Sequence, residues 1–210
     1  TTAKGIAPCY KDKYAREGLR IKDVPEFNSY LWDEKLYGNI LCEGAQGFWL
    51  DINYGNYPYV TSSNTLPYGA CSLGFPPQMI RRIYGASKIY DTRSGIDPLF
   101  SESLLKDEEL LSLVVAGQEF GTTTGRMRKT NWLNLDKLVS AVNISGTTKI
   151  IISKVDVIKE IGIYKLYHNS KLLVFNNFED MKNYINDVLK KNHNFLDEII
   201  YSDKAELTIL

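Results

Sequence analysis

Lys154-Val155-Asp156 follows directly on an apolar run, Ile150-Ile151-Ile152-Ser153. A carboxylate at the carboxyl end of a buried strand can accept two neighbouring donors of guanine at once, the N1–H and the exocyclic amine. Adenine presents an acceptor at N1 and leaves the same carboxylate unpaired, so one side chain separates the two bases. The alkyl stem of Lys154 can lie across the base while its ammonium stays hydrated. Standing alone, the tripeptide is equally a surface ion pair at a strand end. Earlier in the chain lies Thr122-Thr123-Thr124-Gly125-Arg126-Met127-Arg128. This turn offers hydroxyls, backbone N–H groups and two guanidiniums, each able to grip a carboxylate or phosphate as a bidentate fork. A solvated basic turn is the plain alternative, since Lys129 continues the charge. Taken together, the two segments point to a nucleotide-using enzyme that also holds a small carboxylate.

Two further segments carry polar groups at useful spacing. In Glu43-Gly44-Ala45-Gln46-Gly47 the small residues let a ligand approach the backbone, and the Gln46 amide can both donate to and accept from a purine edge. The spacing is neither that of a Walker loop nor that of a dinucleotide fingerprint. Thr61-Ser62-Ser63-Asn64-Thr65 suits ribose or phosphate oxygens, and suits an ordinary solvated loop as well. His168 falls at a hairpin turn and His193 at a helix end; neither is assigned a catalytic role.

The elements that must position these groups read as alternating strands and helices. Tyr10 to Leu19 is expected as a short basic helix, Asn39 to Cys42 as a strand delivering the Gly44–Gly47 loop, and 51–69 as a long irregular connection. Pro77 to Tyr84 starts helical and Ala86 to Tyr90 looks like a strand. Glu108 to Val115 is short and apolar, and Asn134 caps a helix through Leu138, Ala141 and Val142. Lys149 to Ser153 is a buried strand, 166–167 and 172–175 form a hairpin around His168-Asn169-Ser170, and Ile199-Ile200 is a last strand. Phe178 to Lys191 is the cleanest amphipathic helix, with Met181, Ile185, Val188 and Leu189 on one face. The pattern argues α/β with a mainly parallel central sheet flanked by helices, its ligand loops at the carboxyl ends of the strands.

Composition narrows the class. The chain of 210 residues carries 25 basic and 25 acidic side chains, which gives no footprint for nucleic acid or an acidic membrane. No apolar stretch approaches a membrane span. The three cysteines, Cys9, Cys42 and Cys71, lack metal-ligand spacing and fit a reducing cytoplasm best. Opening as it does on Thr1-Thr2-Ala3-Lys4-Gly5, inside a loop-like segment, the chain is expected to be a single domain over 1–210 that is incomplete at its N-terminus.

Thr1-Thr2-Ala3-Lys4-Gly5-Ile6-Ala7-Pro8, Glu43 to Gly47, Asp51-Ile52, Tyr57 to Thr65, Glu119 to Arg126, Trp132-Leu133 and Lys154-Val155-Asp156 together resemble adenylosuccinate synthetases, in the same order. The likeness runs from residue 1 to about 160 and is weaker in the tail, which ends on a similar Glu206-Leu207-Thr208-Ile209-Leu210. It implies a P-loop-NTPase-like fold with long ligand loops, and GTP- and Mg²⁺-dependent joining of L-aspartate to IMP. By the same resemblance Thr2, Gln46 and Thr61 contact IMP, with Gln46 also catalytic, and Arg16 reaches the IMP of a partner subunit in a homodimer. Thr122, Thr123, Thr124, Gly125 and Arg126 form the aspartate loop, and Arg126 touches IMP too. Arg128 faces GTP, while Lys154, Val155 and Asp156 hold its guanine. The family's Gly-Asp-Glu-Gly-Lys-Gly-Lys segment, with its catalytic Asp and Mg²⁺ ligand, and the His that follows it do not occur in these residues. Nor does the guanine-holding Gly-Pro near Ser202-Asp203, and Ser94, Ile96 and Asp97 depart from the family pattern. The isolated chain is therefore expected to be inactive. Two other readings stand beside the first: a viral relative that aminates dGMP with aspartate, and a binding module without catalysis.

Overall fold

Hydrophobic spacing changes character along this chain, and so does its packing. The computed structural model describes residues 5–32, 34–122, 125–193 and 195–203. It divides into two compact units, Thr1–Phe75 and Pro76–Leu210.

The second unit is α/β. Its strands are β1 (Tyr84–Lys88), β2 (Tyr90–Arg93), β3 (Lys129–Asn134), β4 (Lys149–Ser153), β5 (Tyr164–His168), β6 (Lys171–Phe175) and β7 (Glu198–Tyr201). The β1-β4-β7 sheet is parallel throughout, with Gly85 opposite Ile150 and Ile150 opposite Ile199. A second sheet, β2-β3-β5-β6, pairs β3 with β5 in parallel and places an antiparallel strand at each edge. Only Ile89 separates β1 from β2; it is fully buried and donates its N–H to Ser153 O at 3.0 Å. One expected strand over 86–90 is thus two strands that serve different sheets.

Helices α2 (Glu108–Gly117), α3 (Leu135–Ser145), α4 (Val155–Ile161) and α5 (Phe178–Asn192) complete this unit. Helix α5 buries Phe178, Met181, Ile185 and Leu189, spacings of three and four residues that stack on one face. Asn177 accepts from Asp180 N at its start, and acidic residues in the first turn with Lys190 and Lys191 in the last suit the helix dipole. Asn134 caps α3 through Lys137 N at 3.0 Å, as expected from the sequence. The main buried cluster, from Ile89 to Leu189, lies wholly in this unit.

Several expected elements differ. Pro77 opens only one 3-10 turn, Pro77–Met79, because β1 then takes the backbone into parallel pairing with β4. Strand β3 and helix α4 were not foreseen. Lys129, which the plain alternative reading placed in a solvated basic turn, is 5% exposed, with its ammonium on Phe100 O at 2.9 Å and on Glu102 at 2.6 Å.

The first unit is built differently. Helix α1 (Ile6–Ala15) buries none of its residues; its last residue falls four positions before Leu19, and Arg16 caps it in a left-handed conformation (φ 64°). Asn39 to Cys42 is not a strand: no strand pairs with it among the described residues, and Leu41 is 80% exposed. An apolar run becomes a strand only when a neighbour takes its N–H and C=O groups. Residues 51–69 are irregular, as expected, and are organised from within.

Candidate functional site

The loop that carries Arg126 and Arg128 is a narrow hairpin. Phe120 bridges Met127, Gly121 N donates to Arg126 O at 2.8 Å, and Arg128 N donates to Glu119 O at 2.9 Å. Gly125 holds φ 63° and donates its N–H to Gly121 O at 2.7 Å, a left-handed turn that glycine adopts without strain. Thr122, Gly125 and Arg126 are exposed; Thr123 and Thr124 lie outside the described residues. Arg126 faces the Glu102 side of the unit closely enough to help hold that carboxyl below its ordinary range, after Lys129, whose hydrogen bond dominates.

At the base of the hairpin stands Glu119, 1% exposed. Lys88 Nζ donates to its two oxygens at 2.6 and 2.7 Å, Tyr90 Oη to Oε1 at 2.7 Å, and Arg128 Nη1 to Oε2 at 2.9 Å. Burial opposes ionisation of this carboxyl, but the donors from Lys88, Tyr90 and Arg128 outweigh it and hold it below the usual range. Burial likewise draws the Lys88 ammonium downward against the pull of Glu119, and burial followed by the bond to Glu119 pushes the Tyr90 phenol up. Strands β1 and β2 place Lys88 and Tyr90 two residues apart around buried Ile89, which sends both side chains toward Glu119.

Lys154 adopts a left-handed backbone (φ 64°) as the residue before α4, so the chain turns sharply from β4 into the helix. Val155 and Val157 are buried, and Asp156 between them is exposed on the first turn. The Lys154 ammonium is not simply hydrated, as expected from the sequence: Nζ donates to Gly117 O at 2.9 Å. A cation there satisfies an orphan carbonyl at the C-terminal end of α2 and complements its dipole. Gly117 and Glu119 are two residues apart, so one short segment fastens both the turn into α4 at Lys154 and the hairpin at Arg128.

In the first unit Asp51, 0% exposed, is the organiser of 51–69. Its Oδ1 accepts from Asn53 N at 2.8 Å and Tyr54 N at 3.1 Å, and its Oδ2 from Thr65 N at 2.6 Å. Thr61 N donates to Leu50 O at 2.8 Å, and Thr61 Oγ1 lies 3.4 Å from Ser63 Oγ. Gln46 is exposed in a left-handed conformation (φ 72°), and Arg16 is exposed at the end of α1. Thr2 lies outside the described residues.

Glu119, Lys88, Tyr90 and Asp51 were not singled out individually from the residues. Glu119 and Asp51 are acidic groups in otherwise apolar or small-residue surroundings, a weak signal that becomes legible only with their partners. Among the described residues no group of three or more His, Cys, Asp or Glu side chains is placed to hold a metal ion, and no helix is long and apolar enough to cross a membrane.

Comparison with known proteins points to one family over most of the chain. The family profile of adenylosuccinate synthetase matches residues 26–186. An adenylosuccinate synthetase of Bacteroides thetaiotaomicron is 36% identical over 210 positions, covering 75% of this chain and 48% of that protein. One from Flavobacterium psychrophilum is 42% identical, covering 75% of this chain and 49% of that protein. The fully ligated adenylosuccinate synthetase of Plasmodium falciparum superposes with a TM-score of 0.67 at 26% identity, covering 87% of this chain and 56% of that one. The chain spans about half the length of the curated relatives it matches. With that profile matched over most of its length, the chain belongs to the adenylosuccinate synthetase family.

Proposed function

We propose that the protein carrying this chain joins L-aspartate to IMP, using GTP, to give adenylosuccinate, GDP and phosphate. In the first step the 6-oxygen of IMP takes the γ-phosphoryl group, which converts a poor leaving group into a good one. In the second the aspartate amine attacks C6 and phosphate departs with that oxygen. Three anionic ligands must be held close together, and positioned donors provide both orientation and charge compensation.

On this reading Asp156 accepts from guanine N1–H and N2, and Lys154 packs its stem along the base. Arg126, with Thr122 to Gly125, grips the aspartate carboxylates and reaches IMP, and Arg128 turns toward the GTP phosphates. Thr2, Gln46 and Thr61 hold IMP, and Arg16 completes the IMP site of a second subunit in a cytoplasmic homodimer. Mg²⁺ would accompany the nucleotide and compensate its phosphate charge; among the described residues no group of three or more His, Cys, Asp or Glu side chains is placed to hold it. The observation that carries the reading is the joint at Gly117–Glu119, which ties Lys154 and Arg128 to neighbouring residues of one segment. Relatives named adenylosuccinate synthetase support IMP, the acceptor from which adenylosuccinate is made.

The test is product formation by the complete gene product, followed by mass spectrometry of the nucleotide pool with each substrate omitted in turn. Adenylosuccinate is expected only when IMP, GTP and L-aspartate are all present. A succinylated product from dGMP and none from IMP would instead support the viral type of chemistry.

A further inference from the structure

We propose that Glu119 is a positioning residue that couples the anion loop at 121–128 to the base-reading turn at 154–156, a role that rests on the ligand assignment proposed for those two segments. Glu119 lies at the foot of the hairpin and binds Arg128 twice, by its carboxylate at 2.9 Å and by its carbonyl oxygen, which accepts from Arg128 N at 2.9 Å. Two residues earlier the Gly117 carbonyl holds the Lys154 ammonium. Gln118 between them takes a left-handed conformation (φ 50°), and the N–H of Glu119 returns to Val114 O at 2.9 Å. The segment is therefore anchored to the end of α2 while its two flanking residues reach one ligand element each.

The joint is tight as well as polar. A Cβ at Gly117 would fall on the Tyr90 hydroxyl, and Tyr90, 1% exposed, has no room to withdraw. Among the described residues Glu119 is the carboxylate that pairs with both Lys88 and Arg128. Neutralising it leaves two cations facing each other, and the Arg128 side chain, 29% exposed, has a route to solvent. The hairpin then keeps its backbone bonds but loses the tie that sets its direction relative to Lys154.

The experiment compares the parent with Glu119→Gln and Tyr90→Phe in the complete protein. Glu119→Gln keeps shape and removes charge. Tyr90→Phe removes one bond to the same carboxylate and leaves the charge pairs. Hydrogen exchange over 119–128 is expected to accelerate about tenfold in Glu119→Gln, the loss of a charge-assisted bond, while α5 stays protected. KM for both GTP and L-aspartate is expected to rise about tenfold, with a smaller change in kcat. Tyr90→Phe is expected to leave both KM values within about twofold, which a merely destabilised fold would not distinguish from Glu119→Gln. Unchanged exchange over 119–128 overturns the proposal, and so do unchanged KM values in an active enzyme whose loop has loosened. A parent that makes no adenylosuccinate, beside a loosened hairpin in Glu119→Gln, overturns the ligand assignment and with it the coupling to ligands. Should Glu119→Gln not fold, Glu119→Asp, which keeps the charge and shortens its reach, carries the same readouts.

Discussion

Asp156 is exposed while Val155 and Val157 on either side are buried, so the core holds the backbone and leaves the carboxylate reachable. Guanine recognition is expected to rest on it. Asp156→Asn keeps one acceptor for N1–H but turns the second into a donor, which meets the donating amine of guanine and the accepting 2-oxygen of xanthine. The kcat/KM for GTP is expected to fall roughly ten- to a hundredfold and the GTP-to-XTP preference to invert, as befits a hydrogen bond to a charged group of about 1.5–3 kcal/mol. Steady-state kinetics with both nucleotides is the check, and an unchanged preference would remove Asp156 from the base site. A different carboxyl is held for the fold alone. Asp91 on β2 accepts from Asn134 N at 3.2 Å, and burial pushes its pKa up to about 6, against small opposing contributions from that bond and Lys137. A folded-state pKa raised above the unfolded value means that the ionised carboxylate weakens the fold at neutral pH. The handicap fades as pH falls through about 6 toward the unfolded value near 4. Asp91→Asn is accordingly expected to raise stability at pH 7.5 on the order of 2 kcal/mol and to gain little at pH 4. Urea denaturation at the two pH values decides it, and an equal effect at both would show that the ionised form carries no handicap.

At the scale of elements, the 51–69 loop holds its shape by converging backbone N–H groups on Asp51 rather than by joining a sheet. Gly55 sits at its tightest point. A Cβ there would come within 2.6 Å of both Asp51 O and Trp49 O and 2.7 Å of Val60 Cγ1, and backbone carbonyls cannot swing aside as side chains do. Gly55→Ala is expected to destabilise the first unit by roughly 2–3 kcal/mol, the scale of an overpacked site. Near-ultraviolet circular dichroism and urea titration would register this, and a variant as stable as the parent would mean that the loop repacks. Elements with a local signal were legible beforehand. Asn134 before an apolar helix, the Ile-rich β4 and the three-and-four spacing of α5 each carry their instruction in adjacent residues. Asn39 to Cys42 carried half of one: apolar side chains without a neighbouring strand to pair the backbone. Strand β3 was hidden because Lys129, Thr130 and Asn131 read as polar, although Lys129 and Thr130 are buried, with Lys129 on Phe100 O and on exposed Glu102, and Thr130 on Leu110 O.

Taken whole, the molecule concentrates its core in one unit. The main cluster from Ile89 to Leu189 falls within Pro76–Leu210, whereas none of the described residues before Asp51 is buried. Residues 76–210 expressed alone are expected to unfold as one cooperative transition, and residues 1–75 alone to show none, since a chain that buries little apolar surface cannot offset its conformational entropy. Urea titrations followed by circular dichroism test both halves of this, and a cooperative transition in 1–75 would show a core that its packing does not reveal. The sequence by itself determined the α/β class, the capped and amphipathic helices, the family and the identity of the candidate ligand segments, because those depend on periodicity, capping chemistry and short motifs that neighbouring residues spell out. Tertiary structure alone decided that Lys154 spends its ammonium on the end of α2, that Arg128 is tied to Glu119, and that Lys88 and Tyr90 meet the same carboxylate. Those pairings join residues nine to 37 positions apart, and the physical reason they were illegible is that a buried charge is tolerated only with partners, while a linear sequence records the charge and not the partner.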